Sequence, residues 1–191
     1  MAEWIDLTRP MHNDMQVYDA HERFCARRVC TCARDGFNLT LLNMCVHNGT
    51  HMDAPAHFIE DGATIDQVEI ETLVGKTQIL TITDQSLVKL PDHCPPRLLL
   101  RLETEDVLTV RQARALVQAG IKLLGCDRMS VASKCLDSEV HRILLGAGMY
   151  LIETLDLSGV VDGLYDMVCL PVKLKGCEGA PARVIVRAAE E

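Results

Sequence analysis

Residues 47 to 57 read His47-Asn-Gly-Thr-His51-Met-Asp53-Ala-Pro-Ala-His57, so three of the chain's seven histidines fall in one short stretch with a carboxylate. Imidazole and carboxylate are good ligands for zinc and other divalent first-row ions. An ion held this way acidifies water and polarises a carbonyl, so the chemistry to expect is metal-assisted hydrolysis. The bland alternative is a polar surface loop that happens to contain histidines. A lone histidine would merit that reading. Three histidines and an aspartate, framed by Gly49 and Pro55, argue for a metal site.

The surrounding elements must bring these groups together. Residues 36 to 47, Gly-Phe-Asn-Leu-Thr-Leu-Leu-Asn-Met-Cys-Val-His, read as a strand ending near His47. His47 and His51 would share a face of a helix, but Gly49 and Pro55 oppose a helix here. An extended segment puts His51 and Asp53 on one face instead. Gly49 supplies positive φ or close approach, and Pro55 stiffens the exit.

Further strands are expected over Lys76–Thr83, Arg97–Leu102, Ile121–Cys126, Met149–Leu155, Tyr165–Leu174 and Ala182–Val186. Helices are expected over 66–73, Thr109–Ala119 and Ser138–Leu145. Thr109 is the N-cap of the second, Gly120 its stop, and Asp137 a cap of the third. Helix and strand alternate between 109 and 155, and more strands follow. The fold class is therefore α/β, one domain over residues 1–191, with a mixed sheet and helices packed against it.

Two more residues bear on the site. Glu153 sits in the apolar run Met149-Tyr-Leu-Ile-Glu-Thr-Leu155, where a buried carboxylate needs a partner or a cation. The alternative is a strand-end glutamate facing water. His141 lies on the helix just before that strand and by itself suggests only a surface or satisfied histidine.

Composition narrows the partners. The chain has 191 residues, 48% apolar and 24% charged, with net charge −8. That suits a globular core and opposes disorder. No basic surplus exists to neutralise phosphates, which argues against nucleic acid and against an anionic membrane surface. No apolar run is long enough to span a bilayer, and Met1-Ala-Glu-Trp-Ile-Asp6 has no signal-peptide character, so a cytoplasmic protein is expected. Its nine cysteines are then read as thiols.

At residues 47 to 57 the chain resembles the cyclase-type metal-dependent hydrolases, which include the bacterial kynurenine formamidases. It matches every fixed position of H-x-G-T/A-H-x-D-x-P-x-H. The resemblance continues in Ile5-Asp-Leu-Thr-Arg-Pro-Met11, Gly125-Cys-Asp127, Ser130-Val131, Leu151-Ile-Glu153, Leu170-Pro-Val-Lys-Leu174, Gly176 and Gly179-Ala-Pro181. It implies that His47, His51 and Asp53 hold one ion, and that Asp53 and Glu153 bridge to a second, with His141 as ligand. It also implies that His57 donates and accepts protons. One or two divalent ions per subunit follow, zinc first and manganese as the alternative. A small-molecule substrate and a homodimer or homotetramer follow as well. The segment Val17-Tyr18-Asp19-Ala20-His21 departs from the family's aromatic-Pro-Gly-Asp. Tyr18 can still stand where formamidases place a substrate-contacting tryptophan.

The reading implied is an amide hydrolase of the N-formylkynurenine formamidase type. A related hydrolase that opens a cyclic amide or imide such as isatin would share the metal site. A thiol-based redox or metal-sensing protein, motivated by Cys25, Cys30, Cys32 and Cys45, is the alternative from another class. The Cys30-Thr-Cys32 spacing matches no pair of zinc knuckles. A member that keeps its metal without turnover is a further alternative.

Overall fold

The computed structural model describes residues 3–19, 23–83, 88–103 and 108–190. Ala20 and His21 of the altered N-terminal segment lie outside the described residues.

Among the described residues, ten strands and four α-helices follow in chain order. They are β1 (Ile5–Asp6), β2 (Cys25–Cys30), α1 (Cys32–Asp35), β3 (Leu39–Asn43), β4 (His51–Asp53), α2 (Ile70–Leu73), β5 (Val74–Ile82), β6 (Arg97–Leu102), α3 (Val110–Gln118), β7 (Leu123–Cys126), α4 (Asp137–Gly146), β8 (Tyr150–Glu153), β9 (Gly163–Pro171) and β10 (Gly179–Ala188). Eight strands form one sheet in the order β1-β10-β4-β8-β7-β6-β5-β9. β9 also pairs with β10, so the sheet closes on itself. The pairs β5–β6, β6–β7 and β7–β8 are parallel and the others antiparallel, which makes the sheet mixed. α3 and α4 are the crossovers that parallel neighbours require.

Period-2 alternation divides the apolar residues between two cores. Leu99, Leu123, Ile152 and Met52 point into the closed sheet, with Tyr165, Met167 and Val184. Leu98, Leu100, Leu124 and Leu151 point the other way, onto Ala113, Leu116, Val140 and Leu144 of α3 and α4. Each fully buried leucine of these layers stabilises the fold by about 1.5–3 kcal/mol. α3 starts at a capping box. Thr109 Oγ1 accepts from the Gln112 amide, and Gln112 Oε1 accepts from the Thr109 amide at 2.8 Å. Gly120, at φ +78, lets the chain leave the helix.

Several expectations change. The strand expected over 36–47 is confined to Leu39–Asn43, and its only neighbour among the described residues is β2, in a separate two-stranded sheet. His47 lies beyond it, in a turn closed by Cys45 and Asn48: Asn48 Oδ1 accepts from the Cys45 amide at 3.0 Å. The expected helix over 66–73 is split into a 3-10 turn at Ile65–Gln67 and α2. Asp137 is the first residue of α4 and not its cap, because its carboxylate is turned to Ser130 and His141.

Candidate metal centre

Alternation along two short strands builds the centre. In β4, Met52 enters the interior of the closed sheet, so His51 and Asp53 face outward toward the helices. β8 runs antiparallel beside it with His51 opposite Glu153 and Met52 opposite Ile152. Ile152 is also interior, so Glu153 shares the outward face. α4 lies over that face and points His141 down at Glu153, with 3.3 Å between Nε2 and Oε1. The turn after β3 carries His47 to the same place, with Nδ1 2.8 Å from Asp53 Oδ1. Gly49, at φ +66, makes that turn possible. Pro55 opens a 3-10 turn that ends at His57.

The predicted residues therefore converge. His51, Asp53, His141 and Glu153 are all buried, at 3%, 1%, 2% and 5% exposure. Two groups have ligand atoms within 4.8 Å of one another: His47, His51 and Asp53, and Asp53, His141 and Glu153. Asp53 belongs to both. His57 is in neither group. Its ring centre lies 4.2 Å from that of His47 and 5.9 Å from that of His141. Tyr18 borders the same cavity of about 240 Å³, with its hydroxyl 3.5 Å from Asp137 Oδ2.

Polar atoms are arranged as a cation site requires. The Nδ1 atoms of His51 and His141 donate to the carbonyls of Gly49 (2.9 Å) and Asp137 (2.8 Å). Their Nε2 atoms are thereby turned toward the carboxylates. His51 Nε2 stands 3.3 Å from Asp53 Oδ1 and 3.6 Å from Glu153 Oε2. Nε2 of His47 and Oδ2 of Asp53 are buried without a hydrogen-bond partner among the described residues. Buried polar atoms left this way are costly unless something else satisfies them. The donor set of imidazoles and carboxylates fits a divalent first-row ion.

Electrostatics agree with this. Burial opposes charge on His51, yet Asp53 and then Glu153 outweigh it and push its pKa up to about 9. Burial likewise opposes charge on His141, but Asp137 and Glu153 raise it to about 10. Glu153 is raised by burial and by Asp53, whereas Asp53, despite burial, is held well below the carboxylate range by His51 and His47. Without a cation, protons on the imidazoles compensate the two carboxylates; an ion would displace them. His57 goes the other way. Burial, with repulsion from His47 and His141, brings it down to about 4, so it is neutral at physiological pH.

Three neighbours escaped sequence reading. Phe58 stacks on His141 at 4.6 Å and meets His57 edge-on at 4.5 Å, fixing both rings. Its position directly after His57 was the available signal. Asp137, four residues before His141 on α4, contacts its ring through both carbonyl and carboxylate. That i, i+4 spacing was legible once a helix was assumed. Glu178 lies 3.6 Å from His47 Nε2, and nothing local in the sequence marks it. The cysteines behind the thiol reading do not join the centre: both candidate ligand groups among the described residues consist of His, Asp and Glu.

Known proteins agree with the geometry. Residues 5–106 match the family described as "Putative cyclase". The chain is 31% identical to the kynurenine formamidase of Bacillus mycoides and 30% identical to that of Bacillus cytotoxicus, over 97% of its own length and 98% of theirs. A structure of a potential metal-dependent hydrolase with cyclase activity superposes with a TM-score of 0.84, at 27% identity over all of both chains. Isatin hydrolase A of Labrenzia aggregata shares the fold, with a TM-score of 0.81 at 20% identity over 99% of this chain and 94% of that one. The chain belongs to the cyclase family of metal-dependent hydrolases.

Proposed function

We propose that this metal-dependent amide hydrolase cleaves the formamide of N-formylkynurenine or a similar aryl formamide, releasing formate and the arylamine. The observation that carries the reading is the joint one: two ligand groups share Asp53 while neutral His57 stands beside them, in a cavity with Tyr18 on its rim. The similarity to kynurenine formamidases along nearly the whole chain supports the substrate class.

His47, His51 and Asp53 would hold one divalent ion, and Asp53, Glu153 and His141 a second. Imidazole-rich sites of this kind favour zinc, with manganese as the alternative. When bound there, an ion lowers the pKa of water toward neutrality and polarises the scissile carbonyl. His57 accepts a proton from the attacking water as the new C–O bond forms. It then delivers that proton to the amide nitrogen as the C–N bond breaks, and the amine leaves neutral. A pKa near 4 keeps His57 free to accept at neutral pH. Tyr18, 40% exposed, offers its ring to the aromatic part of the substrate.

The test is turnover by the zinc-loaded protein. N-formylkynurenine should exceed isatin at least about tenfold in kcat/KM, a transition-state difference of about 1.4 kcal/mol. Faster opening of isatin would replace the formamidase reading with ring opening.

The setting we propose is a cytoplasmic homodimer or homotetramer. No helix among the described residues is long and apolar enough to cross a membrane. Leu41 and Leu42 stand 50% and 58% exposed on the β2–β3 sheet, and a two-stranded sheet gains stability by docking on something larger. Light scattering near the 21.2 kDa of one chain would remove the oligomer.

A further inference from the structure

His47 differs from the other two imidazoles of the centre in which nitrogen faces inward. His51 and His141 give Nδ1 to backbone carbonyls and turn Nε2 to the carboxylates. His47 gives Nδ1 to Asp53 and turns Nε2 outward, where the nearest acidic atom is Glu178 Oε1 at 3.6 Å. That Nε2 is buried and lacks a hydrogen bond among the described residues. A ring that ligates through Nδ1 needs its proton on Nε2, and something must hold that proton in place.

The backbone around Glu178 is fixed by the strand that carries Asp53. Gly179 pairs with Asp53 in the β10–β4 ladder, and the Ala54 amide donates to the Glu178 carbonyl at 2.8 Å. Gly179 also makes room for the ring. A Cβ there would stand 3.1 Å from His47 Cε1 and 2.9 Å from the Met52 carbonyl oxygen. Gly179 thus leaves the space that the imidazole occupies, and Glu178 sets a carboxylate near its far nitrogen. The Glu178 side chain is 44% exposed, so it is free to turn toward Nε2.

We propose that Glu178 is a positioning residue of the metal centre: its carboxylate accepts a hydrogen bond from the Nε2–H of His47, fixes that tautomer and presents Nδ1 to the ion. The proposal rests on the reading of His47 as a ligand. Outer carboxylate partners of this kind commonly govern metal affinity by about 10- to 100-fold.

The test is a zinc titration against a competing chelator. It uses the full chain as wild type, Glu178→Gln, Glu178→Ala, His47→Ala and the His47→Ala/Glu178→Ala double variant. Glu178→Ala should weaken zinc binding about 10- to 100-fold. Glu178→Gln should lose less, because its amide oxygen still accepts a hydrogen bond from Nε2–H. In the His47→Ala background, removing Glu178 should add less than about a twofold loss, the signature of action through one ring. The absorption bands of the cobalt-loaded protein should shift in Glu178→Ala and return toward wild type in Glu178→Gln. Unchanged affinity in Glu178→Ala overturns the proposal while leaving the metal centre standing. An equal loss with and without His47 also overturns it, since Glu178 would then act directly on the ion or through its charge alone. Wild-type protein that binds no zinc or cobalt removes the metal centre itself, and the proposal with it.

Discussion

β3 and β4 are separated only by the turn at 44–50, yet they meet opposite fates. β3, Leu39-Thr-Leu-Leu-Asn43, is the more apolar, and all of its residues are exposed. β4, His51-Met-Asp53, is two-thirds ionisable, and all of its residues are buried. The difference lies in their partners. β4 is hydrogen-bonded on both sides, to β8 and β10, and covered by α4, whereas β3 has one neighbour and no cover among the described residues. Burial of His51 and Asp53 is tolerable because each lies against opposite charge or a group ready to take a cation. The chain thus buries ionisable groups in β4 and leaves the leucines of β3 outside.

If that contrast is right, the largest effect should come from the residue that borders the protected face without being a ligand. His57→Ala should lower kcat by about 10²- to 10⁴-fold, the usual worth of general acid–base help, while metal content stays at the wild-type level. Metal analysis and steady-state rates on one preparation check both halves. Loss of metal together with activity would make His57 a ligand.

Packing should separate the two strands next. Ile152→Ala, at 0% exposure beneath the centre, should cost about 2–5 kcal/mol in urea unfolding. Leu41→Ala should stay within about 0.5 kcal/mol when measured on dilute, dissociated chains. Leu41→Asp should instead lower the association state seen in light scattering. An equal cost for Ile152 and Leu41 would dissolve the comparison.

A smaller effect should appear with pH in metal-free protein. His51 and His141 have folded pKa values of about 9 and 10, above the roughly 6.5 of unfolded histidine. Their contribution to stability is complete below about pH 6.5 and fades as pH rises through 9 and 10. The urea midpoint of chelator-treated protein should fall over that window, and zinc should restore it. Zinc uptake near neutrality should release protons, measured calorimetrically in buffers of different ionisation enthalpy. A midpoint that climbs over the same window, or uptake without proton release, would contradict the arrangement of charges.

The sequence spoke clearly where function and periodicity coincide. His47 to His57 showed metal-ligand residue types by sequence alone, and the structure brings His47, His51 and Asp53 together, while the alternation of helix and strand between 109 and 155 pointed to the layered α/β arrangement that the fold has. Burial of Glu153 was one of the two readings its apolar neighbours allowed, and the structure buries it. Closure of the sheet was not legible, since the β5–β9 and β10–β4 pairings join strands far apart in the chain and leave no local mark. The fate of 36–47 was misjudged for a related reason: apolar alternation signals a strand but does not say what will cover it. Glu178 was missed because it reaches His47 through the β10–β4 ladder, across more than a hundred residues of chain.

We expect the divalent ion to sit on the outward face of β4 and β8, with His47 and His141. Metal content per folded chain, measured by mass spectrometry on wild type and His51→Ala, tests it most directly. Wild type should carry one or two ions per chain. His51→Ala should lose most of them, because His51 lies between both carboxylates at 3.3 and 3.6 Å and no other described side chain occupies that place. A folded His51→Ala chain that keeps its full metal complement would contradict the account.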